Sequence, residues 1–595
     1  MRLVALVLCL FYAVQMIAAP ADVATRQKQL NALISELWEW NMQQNPVYAS
    51  ILGDKRYNDQ LGSTSEKTIL EQQAKEKEFL KRFEAIDAAG LPHQDVLNRE
   101  LEIRSLKEDI EGTDMKLWQM PVNQMNGIHI DAPQIVTVLS FQTVKDYDDY
   151  ISRLRQLPRI FDEETANMRK GMANGLMPPK FLLEKVVDQT NGIATLAPDK
   201  TPFAQPFENF PASFSEADKT RLKAAGLAAI KDNLLPAYAK FAAFVKDEYV
   251  PKGRSEVGVW SLPDGDSIYA FEVRKSTTTD KTPEQIHEIG LQQVAEIEKQ
   301  QLAIANRLGF KDLKSFRESV KANPKLYAQS REQILDLYRK YLAQMQPELP
   351  KLFGRLPKAD LIVMPVEPFR EKDAPGAQYV SGTPDGSRPG HVEVNTSEPE
   401  KRTIISIEST AYHEGVPGHH LQGTIAQEVT GLPPFRQHAW YGAYGEGWAL
   451  YSEKLGKEVG FYQDPYSDFG RLEDEMLRAI RLVVDTGLHY KRWTREQVVQ
   501  YFHDHSAIDE PNVQSETNRY IAWPAQALSY KMGQLKILEL RARAQQQLGG
   551  QFDIREFHDQ VVDSGALPLD VLEEQINTWI IQKKTGAAKA PSIID

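Results

Sequence analysis

His413 and Glu414 stand side by side in HEGVPGHH (residues 413 to 420), and His419 and His420 close the same stretch. Neutral imidazoles bind a divalent metal and an adjacent carboxylate takes a proton from water, which is the chemistry of zinc hydrolases. The common spacing is H-E-x-x-H on one helix, with both imidazoles on one face. Here Pro417 occupies the fifth position. On a straight helix His419 lies about 9 Å along the axis from His413 and on another face, while His420 shares the face at about 10.5 Å. Neither would share an ion with His413. Pro417 withholds an N–H from the carbonyl of His413 and crowds that turn, and Gly418 tolerates unusual dihedrals. The spacing therefore predicts a kink or bulge at 417 to 418 that returns His419 or His420 to the metal.

Water-activating zinc needs a third protein ligand and an open position. Glu446, in GEGWA (445 to 449), opens a helical pattern through Leu450, Tyr451, Glu453 and Leu455, far enough after His413 for a return helix. Glu453 lies on the same face of that pattern, where it could orient a ligand from behind.

Two further motifs offer groups for a substrate. Arg481, Asp485 and His489 recur every fourth residue among Ile480, Leu482, Val483 and Val484. His489 is a candidate donor to a developing oxyanion, and Asp485 a candidate for orienting a neighbouring imidazole. Arg519, Tyr520 and Tyr530 supply a cation and two phenols. An arginine holds a peptide carboxylate bidentately, and Tyr530 is the second candidate for steadying a tetrahedral intermediate. AQYVSG and HVEVNT read as strands along which an extended peptide adds by main-chain hydrogen bonds, with Tyr379 and Asn395 at the cleft.

The scaffold around these groups reads as mainly helical. Apolar residues recur near i, i+3, i+4 and i+7 over 65 to 88, 145 to 173, 217 to 248 and 283 to 307. Pro- and Gly-rich connections at 174 to 212 and 249 to 266 are expected to stop helices. Between about 360 and 408 the pattern changes: LIVMPVEP, AQYVSG, HVEVNT and RTIISIES read as short strands, with TPDGSRPG as a turn. Helices resume to the C-terminus. The expected fold is mainly α with a small β-sheet beside the metal-binding helix. Residues 22–355 form a helical N-terminal region and 356–595 a catalytic region, the two making one unit.

With 595 residues, 42% apolar and 26% charged, the chain is ordinary for a soluble globular protein. A net charge of −12 argues against a nucleic-acid role, which needs a concentrated basic face. Arg2, the apolar run from 3 to 17 and Ala19-Pro20-Ala21 read as a signal peptide over residues 1–21. That reading predicts an exported protein, in a bacterial periplasm, with no membrane attachment after cleavage. Cys9 is the sole cysteine and falls inside this leader, so disulfides and thiol catalysis are excluded from the mature chain.

In TAYHEGVPGHHLQ (410–422), YGEGWALYSEKLG (444–456), RAIRLVVDTGLHYKRWT (478–494) and NRYIAWPAQALSYKMG (518–533), the chain resembles a family of exported bacterial proteins. This family, domain of unknown function 885, is regarded as gluzincin-like metallopeptidases. The resemblance covers most of the mature chain. It implies a gluzincin-like helical metallopeptidase fold, one zinc ion, His413, His419 and Glu446 as its ligands, and Glu414 as general base. Against the ordinary gluzincin pattern this chain has two additional positions between the histidines. The expected function is zinc-dependent hydrolysis of peptide bonds in short peptides. A metal-dependent hydrolase of another amide or ester would need the same groups, and a catalytically inactive peptide-binding protein would have lost one of them.

Overall fold

The structure is a computed structural model that describes residues 22–366, 371, 374–382 and 389–586. The leader expected over 1–21 and most of the TPDGSRPG turn lie outside the described residues.

The amphipathic stretches fold as helices whose ends follow their capping residues. Ser65 caps Glu66–Glu84 by accepting from the Thr68 N–H, and Thr143 opens Val144–Asn174 with a reciprocal capping box. Thr282 does the same for Pro283–Arg307, with proline in the first turn, where its missing N–H costs nothing. Glu216–Ala229 and Leu235–Phe244 are joined through a π turn at Ile230–Leu234. One expectation fails here: the Pro-rich connection at 174 to 212 contains the helix Lys180–Ala194. Pro178 and Pro179 lie before its first turn, where proline is tolerated, and Leu182, Leu183 and Val186 are buried.

The sheet has three strands: β1 Leu361–Pro365, β2 Ala377–Val380 and β3 Gly390–Val394, in the order β1-β3-β2. β1 runs parallel to β3, and β2 antiparallel to it with Tyr379 opposite Val392. β3 is buried throughout, and β2 keeps an edge that no strand covers among the described residues. The fourth expected strand, RTIISIES, is not one. Thr403 makes a single bridge to Tyr327, and Ile407 already begins the helix Ile407–Glu414. Ile405 and Ile407 are buried, and a short apolar run of that kind reads equally as strand or helix until its neighbours are known.

The N- and C-terminal regions share their cores. Leu97 and Leu101 of the helix His93–Asp114 pack in one cluster with Val392, Ala411, Trp448, Ile537 and Ile576. Val294 and Ile297 of Pro283–Arg307 join Ile480 and Val483 of Pro465–His489 in another. The helix Gly442–Glu458 crosses Ser529–Leu548 with backbones nearly touching: a Cβ on Gly533 would fall 1.8 Å from the Ala443 carbonyl oxygen. Glycine there lets the two helices close, and so sets where Glu446 points. Among the described residues no helix is long and apolar enough to cross a membrane.

Candidate metal centre

The bend expected at Pro417 is a full break between two helices. Ile407–Glu414 ends after the glutamate, and His419–Glu428 starts immediately beyond Gly418. The Val416–Pro417 peptide bond is cis. The Gly418 N–H returns to the Tyr412 carbonyl at 2.9 Å and the His420 N–H to Gly415 at 3.1 Å, so the turn folds back on the helix it left. A Cβ on Gly418 would sit 1.9 Å from the His413 carbonyl oxygen, which is why only glycine fits. The Pro417 carbonyl accepts from Trp448 Nε1 at 2.9 Å and Ser452 Oγ at 3.2 Å, both on Gly442–Glu458. That helix therefore holds the break in register with the glutamate it carries.

His413, His419 and Glu446 meet at this junction, their ligand atoms all within 4.8 Å of one another. Glu446 Oε2 lies 3.6 Å from His413 Nε2 and 3.5 Å from His419 Nε2. Donors about 2.0 to 2.2 Å from a tetrahedral zinc stand about 3.4 Å apart, so the spacing and the N,N,O donor set fit one such ion. The two imidazoles cross at 87°. His413 Nδ1 donates to Glu453 Oε1 at 2.8 Å, which turns Nε2 toward Glu446 and His419. Burial opposes charge on His413, but hydrogen bonds to Glu446 and Glu453 outweigh it and push the imidazolium up to about 10. Burial likewise opposes charge on Glu446, yet His413 and His419 hold its carboxyl well below the usual range. The position favours positive charge. His420 faces away: its Nδ1 lies 3.2 Å from the Tyr379 hydroxyl, and Nε2 donates to the Ala359 carbonyl at 3.2 Å.

Glu414 closes the helix beside His413, and its Oε2 accepts from the Tyr379 backbone N–H at 2.9 Å. The carboxylate thus abuts the outer edge of β2. Both groups line a cleft of about 650 Å³ together with His413, His419, Glu446, Trp440 and Tyr530. Tyr48 and Leu52, from the helix Pro46–Ile51 and its cap, form part of the facing wall, so the N-terminal region helps enclose the site.

Four sequence assignments are corrected. His489 is fully buried; its Nδ1 accepts from the Val259 N–H and its Nε2 donates to the Tyr520 carbonyl, each at 3.0 Å. Burial pushes it down to about 3, so it is a neutral imidazole with both nitrogens spent in the core and no oxyanion donor. Asp485 accepts from the Tyr269 hydroxyl at 2.7 Å and the Ala525 N–H at 3.1 Å rather than orienting an imidazole. Tyr520 is buried, donates to Glu516 and accepts from Arg481 Nε at 3.1 Å, out of reach of a ligand. Asn395, also buried, donates to the Glu371 and Ala374 carbonyls at 2.5 and 2.8 Å and shapes the segment before β2.

Tyr379 and Tyr530 do line the cleft. Arg519 stands behind its wall, paired with Glu516 at 3.3 Å and Gln526 at 2.8 Å, with Nη2 at 3.5 Å from the Tyr530 hydroxyl. Arg478 and Trp440 also line the cleft, beyond the residues that the motifs single out, and Arg481 joins them from the polar stripe. The spacing of Arg478 and Arg481, one turn apart on an apolar helix, was a usable signal; nothing in HAWYG marked Trp440, which is 62% exposed at the mouth.

Fold and site together define a mainly helical protein with a His-His-Glu donor set, His413 buried and the other two half-buried, beside an edge strand. The chain belongs to the bacterial family of unknown function DUF885, whose profile matches residues 46–576. Among solved structures it is similar to a candidate lipoprotein from Colwellia psychrerythraea, with 30% identity and a TM-score of 0.89 over 94% of this chain and 100% of that one. A candidate lipoprotein of unknown function from Shewanella oneidensis shares the fold, with 17% identity and a TM-score of 0.71 over 94% of this chain and 100% of its own. No curated protein matches the chain.

Proposed function

We propose that this protein is an exported zinc metallopeptidase acting on short peptides. The observation that carries the reading is the meeting of His413, His419 and Glu446 donor atoms within 4.8 Å, with Glu414 lining the same cleft. Zinc held by those three residues would acidify a water and polarise a carbonyl. Glu414, steadied by the Tyr379 N–H, takes the proton of the attacking water and returns it to the leaving amine. The outer edge of β2, with Gln378, Tyr379 and Ser381 lining the cleft, offers main-chain groups to an extended substrate. Enclosure by Tyr48 and Leu52, in a volume typical of small-ligand sites, favours short peptides over folded proteins. Export is supported by the leader-like N-terminus and by the description of the Colwellia psychrerythraea relative as a candidate lipoprotein. The periplasm is the expected compartment.

Metal analysis alongside peptide turnover tests the reading. Glu414→Gln is expected to keep about one zinc per chain and lose at least about 100-fold in kcat, the scale of general acid–base catalysis. His413→Ala is expected to lose both zinc and turnover. Undiminished turnover in Glu414→Gln, or cleavage of folded proteins as fast as of short peptides, would refute the corresponding part.

A further inference from the structure

Arg478 and Arg481 stand one turn apart on Pro465–His489, and both line the cleft that holds the His-His-Glu set. Arg481 is 4% exposed, yet its Nη1 has no hydrogen-bond partner among the described residues. The rest of its guanidinium is committed. Nε and Nη2 donate to Glu516 Oε2 at 3.2 and 2.9 Å, and the plane lies 4.6 Å over the Tyr530 ring. Arg478 donates through Nη1 to the Asp474 carbonyl at 3.1 Å, and its Nε has no partner among the described residues. Arg481 and Arg519 share one carboxylate, Glu516, while Arg478 stands 3.6 Å from Asp474.

A buried cation with an unpaired N–H is costly unless an anion completes it. Nη1 of Arg481 and Nε of Arg478 each have a charged N–H to give a carboxylate, and Tyr530 adds a hydroxyl at the same wall. We infer that Arg481, with Arg478 and Tyr530, binds a carboxylate of the substrate, so that the cleft selects peptides bearing one close to the scissile bond. This rests on the peptidase reading of the metal centre and assigns its specificity. The carboxylate is the C-terminal one, which makes the enzyme a carboxypeptidase, or an acidic side chain, which makes it selective for Asp or Glu.

Binding, rather than turnover, tests the assignment. Calorimetric titration of zinc-loaded Glu414→Gln with N-acetyl dipeptides compares a C-terminal acid with the same peptide amidated, and a Glu-amide with a Gln-amide. Each charged hydrogen bond lost is worth about 10- to 100-fold in affinity, so the acid should bind at least tenfold tighter than the amide. Tight binding of the Glu-amide but not the Gln-amide identifies the side chain as the source instead. Adding Arg481→Lys, which loses the planar guanidinium, should reduce whichever preference is found. Arg478→Gln, away from the Glu516 pairing, should reduce it in the same direction should the lysine variant misfold. Equal binding of all four peptides, no binding of any, or a preference untouched by both substitutions overturns the assignment. Failure of the peptidase reading shows separately, as absence of turnover by the unsubstituted protein on every peptide.

Discussion

Glu453 reaches across from Gly442–Glu458 to place its Oε1 2.8 Å from His413 Nδ1, on the helix that ends the preceding segment. Glu446 and Glu453 sit on one helix two turns apart, so a single element supplies both one member of the His-His-Glu set and the group that aims another.

Glu453→Gln should therefore weaken zinc binding by about 10- to 100-fold, the usual cost of losing a carboxylate behind a metal-binding histidine. Competition against a chelator of known affinity measures it. An unchanged zinc affinity would show that His413 needs no such support.

Gly418→Ala tests the broken helix. Its methyl carbon would start 1.9 Å from the His413 carbonyl, so the junction must open. A loss of about 1 to 3 kcal/mol in unfolding free energy is expected, as for overpacked interiors, together with loss of zinc. Trp448→Phe removes the N–H that reaches the Pro417 carbonyl but leaves the Ser452 hydroxyl there, so it should cost stability with zinc retained. Zinc bound normally by the alanine variant would mean that the turn does not set the position of His419.

Acid sensitivity should separate two neighbouring buried groups by sign. His489 titrates near 3 when folded because burial excludes its charge, against an ordinary value of about 6.5. Unfolding therefore takes up a proton between those values, and the stability His489 lends above pH 6.5 is lost as pH falls toward 3. Asp485 runs the other way: burial pushes its carboxyl up to about 7 from 3.8, so its contribution is complete below 3.8 and lost as pH rises to 7. Wild-type stability measured relative to His489→Gln should rise with pH by up to about 1.4 kcal/mol per unit over the first window. Relative to Asp485→Asn it should fall with pH over the second. Parallel slopes in chemical denaturation would refute this pair of assignments.

Much of the site is written in local sequence. HEGVPGHH and GEGWA hold the three side chains that meet and the carboxylate beside them, and Pro417 with Gly418 requires that the helix not run straight through. The long amphipathic helices and the three strands are equally legible, because each is a periodic pattern over its own residues. RTIISIES and the helix Lys180–Ala194 are not legible in this way, because short apolar runs and flanking prolines look alike in strands, helices and loops until burial decides.

What the chain could not settle locally is which chemically similar residues share a space. His419 and His420 are adjacent, and the choice between them came from the backbone folding back to Tyr412 and Gly415. Arg481, Asp485 and His489 occupy one stripe, but Tyr269 and the Val259 amide cover the latter two, leaving Arg481 and Arg478 to face the cleft. Sequence alone determined the residue types and the period that spaces them, since these depend on covalent geometry and the helical repeat. Tertiary structure alone decided which face met solvent and which met the core, because that depends on distant segments competing to bury the same surface.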